Sequence, residues 1–284
     1  MHFIKMHGIG NDYVYVDRFL YDAPKDGDAA AVKVSDRHTG IGSDGLILIE
    51  PSDVADCRMN MRNADGSVSK MCGNAMRCIG KYMLERHPER CHGDVVRIET
   101  LGGIKAVQAV ERDENGAVTL LRVDMEVPGF AAESIPVLAD DPQDVPLRIG
   151  DKPARGVCVS MGNPHVVFLV DEDPMGLEPF EKIGKAIEFD AAFPERANVE
   201  FVQPLPDGSL KMRVWERGSG ETMACGTGAC ASAVAAMIKG AVAERAVTVH
   251  LRGGDLRIEW NEADGRVYMT GPAAFIAEGE WMED

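Results

Sequence analysis

The feature that most constrains this chain is that it repeats itself. Gly10-Asn11-Asp12-Tyr13-Val14-Tyr15-Val16-Asp17 is matched much later by Gly162-Asn163-Pro164-His165-Val166-Val167-Phe168-Leu169-Val170-Asp171, each a Gly-Asn turn leading into a β-rich run. The spacing then holds along both halves. Asn11 precedes Cys72 by 61 residues and Asn163 precedes Cys225 by 62, while Asn63 and Glu216 each stand nine residues before their cysteine. Beyond the cysteines, Val95–Ile98 leads to Gly102-Gly103 as Val247–His250 leads to Gly253-Gly254. Landmarks kept at a shift of about 152 residues imply two domains of one ancestral design, with Val127-Pro128-Gly129 as the link.

The coarse pattern is mixed. Short β-rich runs (Tyr13–Val16, Gly45–Ile49, Val95–Glu99, Ile104–Val110, Val166–Val170, Lys211–Trp215, Leu256–Trp260) are separated by turn residues. One helix is expected in each half, starting at a Cys-Gly pair. The first runs from Cys72 to Arg86 before Pro88, the second from Cys225 to Lys239 before Gly240. The second is so rich in Ala and Ser that it suits a helix held closely inside a sheet or barrel. The class is α+β with mainly antiparallel strands, and simple βαβ alternation is not evident.

With 30 basic and 46 acidic side chains, the formal net charge is −16. Such a chain repels phosphate backbones and anionic lipid, which excludes nucleic acid and membrane surfaces as partners. The opening Met1-His2-Phe3-Ile4-Lys5 has no apolar stretch of signal-peptide length, and Ala229–Ile238 is too short to span a bilayer, so a cytoplasmic protein is expected. Seven cysteines at irregular spacings fit neither a disulfide framework nor a structural zinc site, and no metal is expected.

Cys72 and Cys225 hold the same place in the two repeats, each at a helix start and each followed by Gly. Unsatisfied N–H groups and the positive end of the helix dipole collect there, which favours a thiolate and can hold a carboxylate. A pseudo-twofold is expected to bring the two helix starts to one cleft and flank the α-carbon of a small carboxylate on both faces. One thiolate would remove the α-proton while the opposite thiol donated another, inverting the centre without net redox change. The developing charge would rest on the helix N–H groups. The remaining cysteines read as small buried side chains.

At these residues the chain closely resembles the diaminopimelate epimerase family. The matching motifs are Gly8-Ile9-Gly10-Asn11-Asp12, Asn63-Ala64-Asp65-Gly66-Ser67, Met71-Cys72-Gly73-Asn74, Met161-Gly162-Asn163-Pro164-His165, Asn198-Val199-Glu200-Phe201, and Glu216–Thr222 with Ala224-Cys225-Gly226-Thr227-Gly228. The resemblance implies two similar domains, each a mainly antiparallel sheet or barrel curled around a central helix. The expected boundaries are 1–128, joined by a terminal strand at 273–284, and 129–272. It implies interconversion of LL- and meso-2,6-diaminopimelate in lysine and peptidoglycan precursor synthesis, with neither pyridoxal phosphate nor metal, by a homodimer. It implies that Cys72 and Cys225 are the catalytic pair, tuned by His165 and Glu216, with Asn11 at the reacting end. Gly73, Asn74, Gly226 and Thr227 would give backbone N–H groups to the reacting carboxylate. Asn63, Asn163, Asn198 and Arg217 would hold the distal end, where Arg217 can grip a carboxylate bidentately.

The chain departs from the family's pattern at Gly45, where many relatives carry Gln, at Ala75, where Gly is frequent, and at Lys70-Met71, where Gln is common. A racemase for another amino acid is the nearest alternative, against which Asn63, Asn198 and Arg217 speak. A dithiol redox or metal protein would need its thiols close in sequence. A nucleotide-binding loop would need a Gly-Lys-Ser/Thr ending, and no Lys occurs between Lys211 and Lys239.

Overall fold

Gly10 and Gly162 sit at φ +85° and +86°, a backbone region that L side chains rarely adopt. Gly10 turns the chain into the strand Asn11–Asp17 and Gly162 into the strand Pro164–Leu169, so the Gly-Asn landmarks are matched turns. The structure, a computed structural model, describes residues 1–69 and 71–282. Lys70, and residues 283 and 284 of the expected terminal strand, lie outside the described residues. The chain divides into one unit made of residues 1–124 with the chain from Thr270 onward, and a second unit, Met125–Met269.

The first unit opens with β1 (His2–Gly8) and β2 (Asn11–Asp17), an antiparallel pair. Helix α1 (Gly27–Ser35) then crosses to β3 (Gly45–Glu50), which lies parallel to β2. β4 (Cys57–Asn63) returns antiparallel to β3, and the short β5 (Val68–Ser69) folds back on β4. Helix α2 (Gly73–Arg86) crosses to β6 (Val95–Thr100), parallel to β4. β7 (Gly103–Arg112) and β8 (Val118–Asp124) follow as antiparallel neighbours. Ala274–Glu280 pairs antiparallel with β1.

The second unit has the same order. After β9 (Val145–Ile149), the strands β10 (Lys152–Ser160) and β11 (Pro164–Leu169) form the antiparallel pair. Helix α3 (Phe180–Glu188) crosses to β12 (Asn198–Pro204), parallel to β11. β13 (Leu210–Glu216) returns antiparallel, followed by β14 (Gly220–Glu221). Helix α4 (Gly226–Ile238) crosses to β15 (Ala246–Leu251), parallel to β13, and β16 (Gly254–Trp260) turns back on it.

The fold is thus mixed α+β, dominated by sheet and mostly antiparallel, as the sequence indicates. It differs from the sequence reading in two respects. Each unit holds a second helix, α1 in the first and α3 in the second. Each unit also holds two parallel pairs, and every one is joined through a helix, because parallel neighbours cannot be linked by a hairpin.

The two helices that begin at cysteines are enclosed. In α2 every residue from Gly73 to Leu84 is buried, and the helix packs against β1, β6, β7 and β8. In α4 the run Gly228–Ala236 is buried, against strands from β10 to β16. Helix α4, apolar or small on all sides, has to be covered on all sides. The small Ala, Ser and Gly side chains of α4 let those strands approach. In α2 the same closeness falls at Gly80, where a Cβ would stand 2.5 Å from Val107 Cγ1.

Candidate active site

Each cysteine caps its helix. Cys72 precedes α2 with φ −139° and ψ 119°, and Cys225 precedes α4 with φ −120° and ψ 109°. Both are extended residues at the point where the chain bends into the helix, and the Cys225 sulfur accepts from a first-turn N–H, that of Gly228. Neither first turn carries an acidic side chain to neutralise them.

In the first unit, the Asn11 carbonyl oxygen Oδ1 accepts from Cys72 Sγ at 3.5 Å and from Asn74 Nδ2 at 3.2 Å. The other end of the Asn11 amide donates to Asp44 Oδ2 at 2.7 Å, which fixes which way the amide points. Arg37 bridges Asp44 and Asp12 at 2.9 and 2.8 Å, and Lys5 reaches Asp12 at 3.0 Å. Burial opposes ionisation of Asp12, but the bonds from Arg37 and Lys5 outweigh it and hold the carboxyl below its ordinary range. Asn74 is braced by the fully buried Arg77, which donates to Asn74 Oδ1 at 2.8 Å. Tyr13 lies in the same cluster, and burial first, then the neighbouring Cys72, push its hydroxyl well above the usual range. Asn63 donates to Ser67 Oγ at 3.0 Å in the turn before Cys72.

In the second unit, Cys225 is 5 % exposed. Its sulfur accepts from Gly228 N at 3.3 Å and lies 3.5 Å from Thr227 Oγ1. Asn163 Nδ2 donates to Thr227 Oγ1 at 3.3 Å, Asn163 Oδ1 meets His165 Nε2 at 3.0 Å, and His165 Nδ1 meets Glu200 Oε1 at 2.7 Å. Glu216 stands beside Cys225 and accepts from Thr222 Oγ1. Burial pushes the carboxyls of Glu216 and Glu200 up. Burial, then Glu216, then Glu200, hold the Cys225 thiol well above its ordinary range, although Thr227 and Gly228 pull it down. A helix start alone favours a thiolate. Here burial wins, with the acidic Glu216 beside the thiol in a site shut off from water.

Asn198 Oδ1 accepts from Arg217 N at 2.9 Å and its Nδ2 donates to the Pro164 carbonyl at 2.9 Å, so the side chain ties the Arg217 backbone to β11. Arg217 donates through Nη1 to the Glu195 carbonyl at 3.0 Å. Within the second unit, Asn163, His165, Glu216, Gly226 and Thr227 gather round Cys225, with Asn198 and Arg217 following along the same strands. Within the first, Asn11, Gly73 and Asn74 gather round Cys72. Two contributors were not singled out from sequence, Asp44 and Glu200. Glu200 left a trace, an acidic residue in an apolar strand pattern, fully buried between Val199 and Phe201, whereas Asp44 left none. Burial comes first in raising Cys78 to about 11 and Cys158 to about 12, and Glu200 adds to the rise at Cys158.

The diaminopimelate epimerase family model matches residues 3–128 and 157–276. This chain belongs to the diaminopimelate epimerase family. It is 51% identical over 282 residues to the diaminopimelate epimerase of Acetivibrio thermocellus, covering 99% of this chain and 98% of that one. It is 50% identical over 282 residues to that of Methanococcus maripaludis, covering 99% of each chain, and 47% identical over 286 residues to that of Moorella thermoacetica, covering 100% of each. Among solved structures, a probable proline racemase from Agrobacterium radiobacter superposes with a TM-score of 0.72 at 15% identity, covering 100% of this chain and 93% of that one. A predicted epimerase from Pseudomonas aeruginosa gives 0.66 at 17%, covering 100% and 99%. These structures share the fold. As a diaminopimelate epimerase family member the chain is an isomerase of the epimerase and racemase type. Among the described residues no helix is long and apolar enough to cross a membrane.

Proposed function

We propose that the chain epimerises 2,6-diaminopimelate at one α-carbon, LL to meso and back, on the way to lysine, with Cys72 and Cys225 as the acid–base pair. What supports this reading is that two cysteines, one in each repeat, cap enclosed helices whose first turns carry no acid. One thiolate takes the α-proton and becomes a thiol, and the electron pair passes into the carboxylate as an enediolate. The other thiol returns a proton to the opposite face and becomes the thiolate, so the centre is inverted and proton count is conserved. The N–H groups of Gly73, Asn74, Gly226 and Thr227 stabilise the developing charge. His165 and Glu216 set the protonation of Cys225, and Asn11 orients the reacting end. Asn63, Asn163, Asn198 and Arg217 hold the distal amino acid group, with Arg217 gripping its carboxylate and Asn198 keeping Arg217 in place. The reaction then needs no pyridoxal phosphate and no metal. The enzyme works in the cytoplasm as a homodimer.

The deciding experiment is incubation of the dialysed protein with LL-diaminopimelate in deuterated water. The expected result is meso product carrying deuterium at one α-carbon. Product that appears only after pyridoxal phosphate or a metal is added would overturn the mechanism, and turnover of a different amino acid alone would overturn the substrate.

A further inference from the structure

His165 and Glu200 are both fully buried and 2.7 Å apart, on paired strands β11 and β12. A buried pair of ionisable groups is costly to form, so the first question is whether the fold needs it. The repeat answers that. In the first unit β2 and β3 make the same parallel pair with Tyr13 two residues after its Gly-Asn turn and with the fully buried Ile47 in the place of Glu200. The architecture therefore closes without a carboxylate at this position.

From His165 a chain of hydrogen bonds leads to the sulfur. Asn163 gives its amino group to Thr227 Oγ1, so its carbonyl oxygen faces His165 Nε2, and Nε2 must carry a proton. A neutral ring protonated on Nε2 leaves Nδ1 as an acceptor, and Nδ1 faces Glu200 Oε1. The 2.7 Å contact then requires a proton between them. Glu200 Oε2 is buried without a partner, which suits the uncharged carboxyl better than an ionised one. Thr227 accepts from Asn163, which leaves its own O–H to donate to Cys225 Sγ, 3.5 Å away. Every donor in the chain points toward the sulfur. If His165 carried its proton on Nδ1 instead, the Asn163 amide would turn over and Thr227 would point its hydrogen away from the sulfur.

We propose that Glu200 is a positioning residue for Cys225: by supplying the proton it shares with His165 Nδ1, it sets the direction of the chain His165–Asn163–Thr227 so that Thr227 donates to the sulfur. This rests on the reading of Cys225 as an acid–base group. The titratable groups that face Cys225 are Glu216 from β13 and Glu200 from β12, and His165 from β11 faces both of those carboxyls. Glu200→Gln keeps a donor for Nδ1. Glu200→Leu removes it, so comparing the two variants isolates the hydrogen bond.

The test uses the full-length protein and two readouts that need no turnover. The first is ¹⁵N NMR of the histidine rings in the wild type. Nε2 of His165, assigned with a His165→Gln control, is expected to be protonated, and an Nε2 without a proton overturns the proposal even where no variant folds. The second is the pH dependence of Cys225 alkylation, read by peptide mass spectrometry. Its midpoint is expected at higher pH in Glu200→Leu than in Glu200→Gln, with turnover of Glu200→Gln at least about tenfold above Glu200→Leu. Equal midpoints in the two variants overturn it. A wild type inactive on diaminopimelate would instead count against the proposed function, while leaving both readouts intact.

Discussion

Asn11 turns its carbonyl oxygen to the sulfur of Cys72 because Asp44 holds the opposite end of the same amide at 2.7 Å. The Asp44 carboxylate also accepts from Asp12 N at 3.1 Å, so one side chain fixes both the strand start and the amide.

Asp44→Ala should therefore damage catalysis more than stability. Loss of a fixed amide beside a reacting group is expected to lower kcat/KM about 10- to 100-fold, as for misplacement by an ångström. The exposed ion pair with Arg37 is worth little on its own. Steady-state kinetics with thermal unfolding on the same sample checks this. An unchanged kcat/KM would show that Asp44 does not orient Asn11.

Gly45 gives a prediction of the opposite kind. A Cβ there would stand 2.1 Å from the Arg62 carbonyl oxygen and 3.0 Å from the Tyr13 ring, because β3 lies tight against β4 at Gly45 and Asn63. Gly45→Ala should destabilise the protein by roughly 1–3 kcal/mol through overpacking. Urea unfolding with an unchanged midpoint would contradict it.

Much of this was legible in the sequence. The helices at Cys72 and Cys225 declare themselves by a long apolar or small-residue run after Cys-Gly and by Pro88 and Gly240 beyond. The internal repeat foretells the matched order of strands. The helices α1 and α3 were not anticipated. In α3 the apolar spacing Phe180, Ile183, Ile187 is helical, but Gly184 argues against a helix in isolation. In the structure Gly184 is needed, since a Cβ would come within 2.5 Å of the Trp215 ring. β4, with alternating Met and polar residues, lacks the branched and aromatic side chains that mark strands. Glu200 and Asp44 escaped because their roles are contacts to residues 35 and 33 positions away, His165 and Asn11, and no local pattern encodes those.

Cys72→Ala and Cys225→Ala should each lower epimerisation by at least about 10³-fold, since in the proposed mechanism each thiol serves one face and the range for a positioned acid or base reaches that size. Cys57→Ala and Cys91→Ala should keep near-normal turnover, since neither sulfur lies in either cluster. Assay of the four purified variants side by side decides it, and a wild-type rate from Cys225→Ala would sink the two-base scheme.

The titration of Cys225 should respond to Glu216. Burial raises this thiol first, and the carboxylate of Glu216 raises it next. Glu216→Gln removes that charge and leaves burial in place. The thiol should then ionise at lower pH than in the wild type, while remaining above an ordinary cysteine. Alkylation of Cys225 against pH, in a Cys72→Ala background with peptides resolved by mass spectrometry, measures the midpoint. A midpoint that stays put or rises would mean that Glu216 does not face the sulfur as a carboxylate.

Arg217 separates binding from folding most cleanly. Its backbone is held independently of its side chain: Arg217 N donates to Asn198 Oδ1 at 2.9 Å, and Gly218 N donates to Glu188 Oε1 at 3.0 Å. The guanidinium itself makes one bond to a backbone carbonyl, that of Glu195. Arg217→Ala should therefore fold with a near-normal unfolding temperature. If the side chain grips the distal carboxylate of diaminopimelate, the variant loses a charged partner in a closed site, at roughly 2–5 kcal/mol in kcat/KM. Arg217→Lys should recover only part of that, because an ammonium offers a point charge where the guanidinium offers a planar fork. The measurement is kcat/KM for LL-diaminopimelate in the three proteins, with unfolding temperatures alongside. Full activity in Arg217→Ala would remove Arg217 from the substrate contacts and reopen the choice between diaminopimelate and an amino acid with no distal carboxylate.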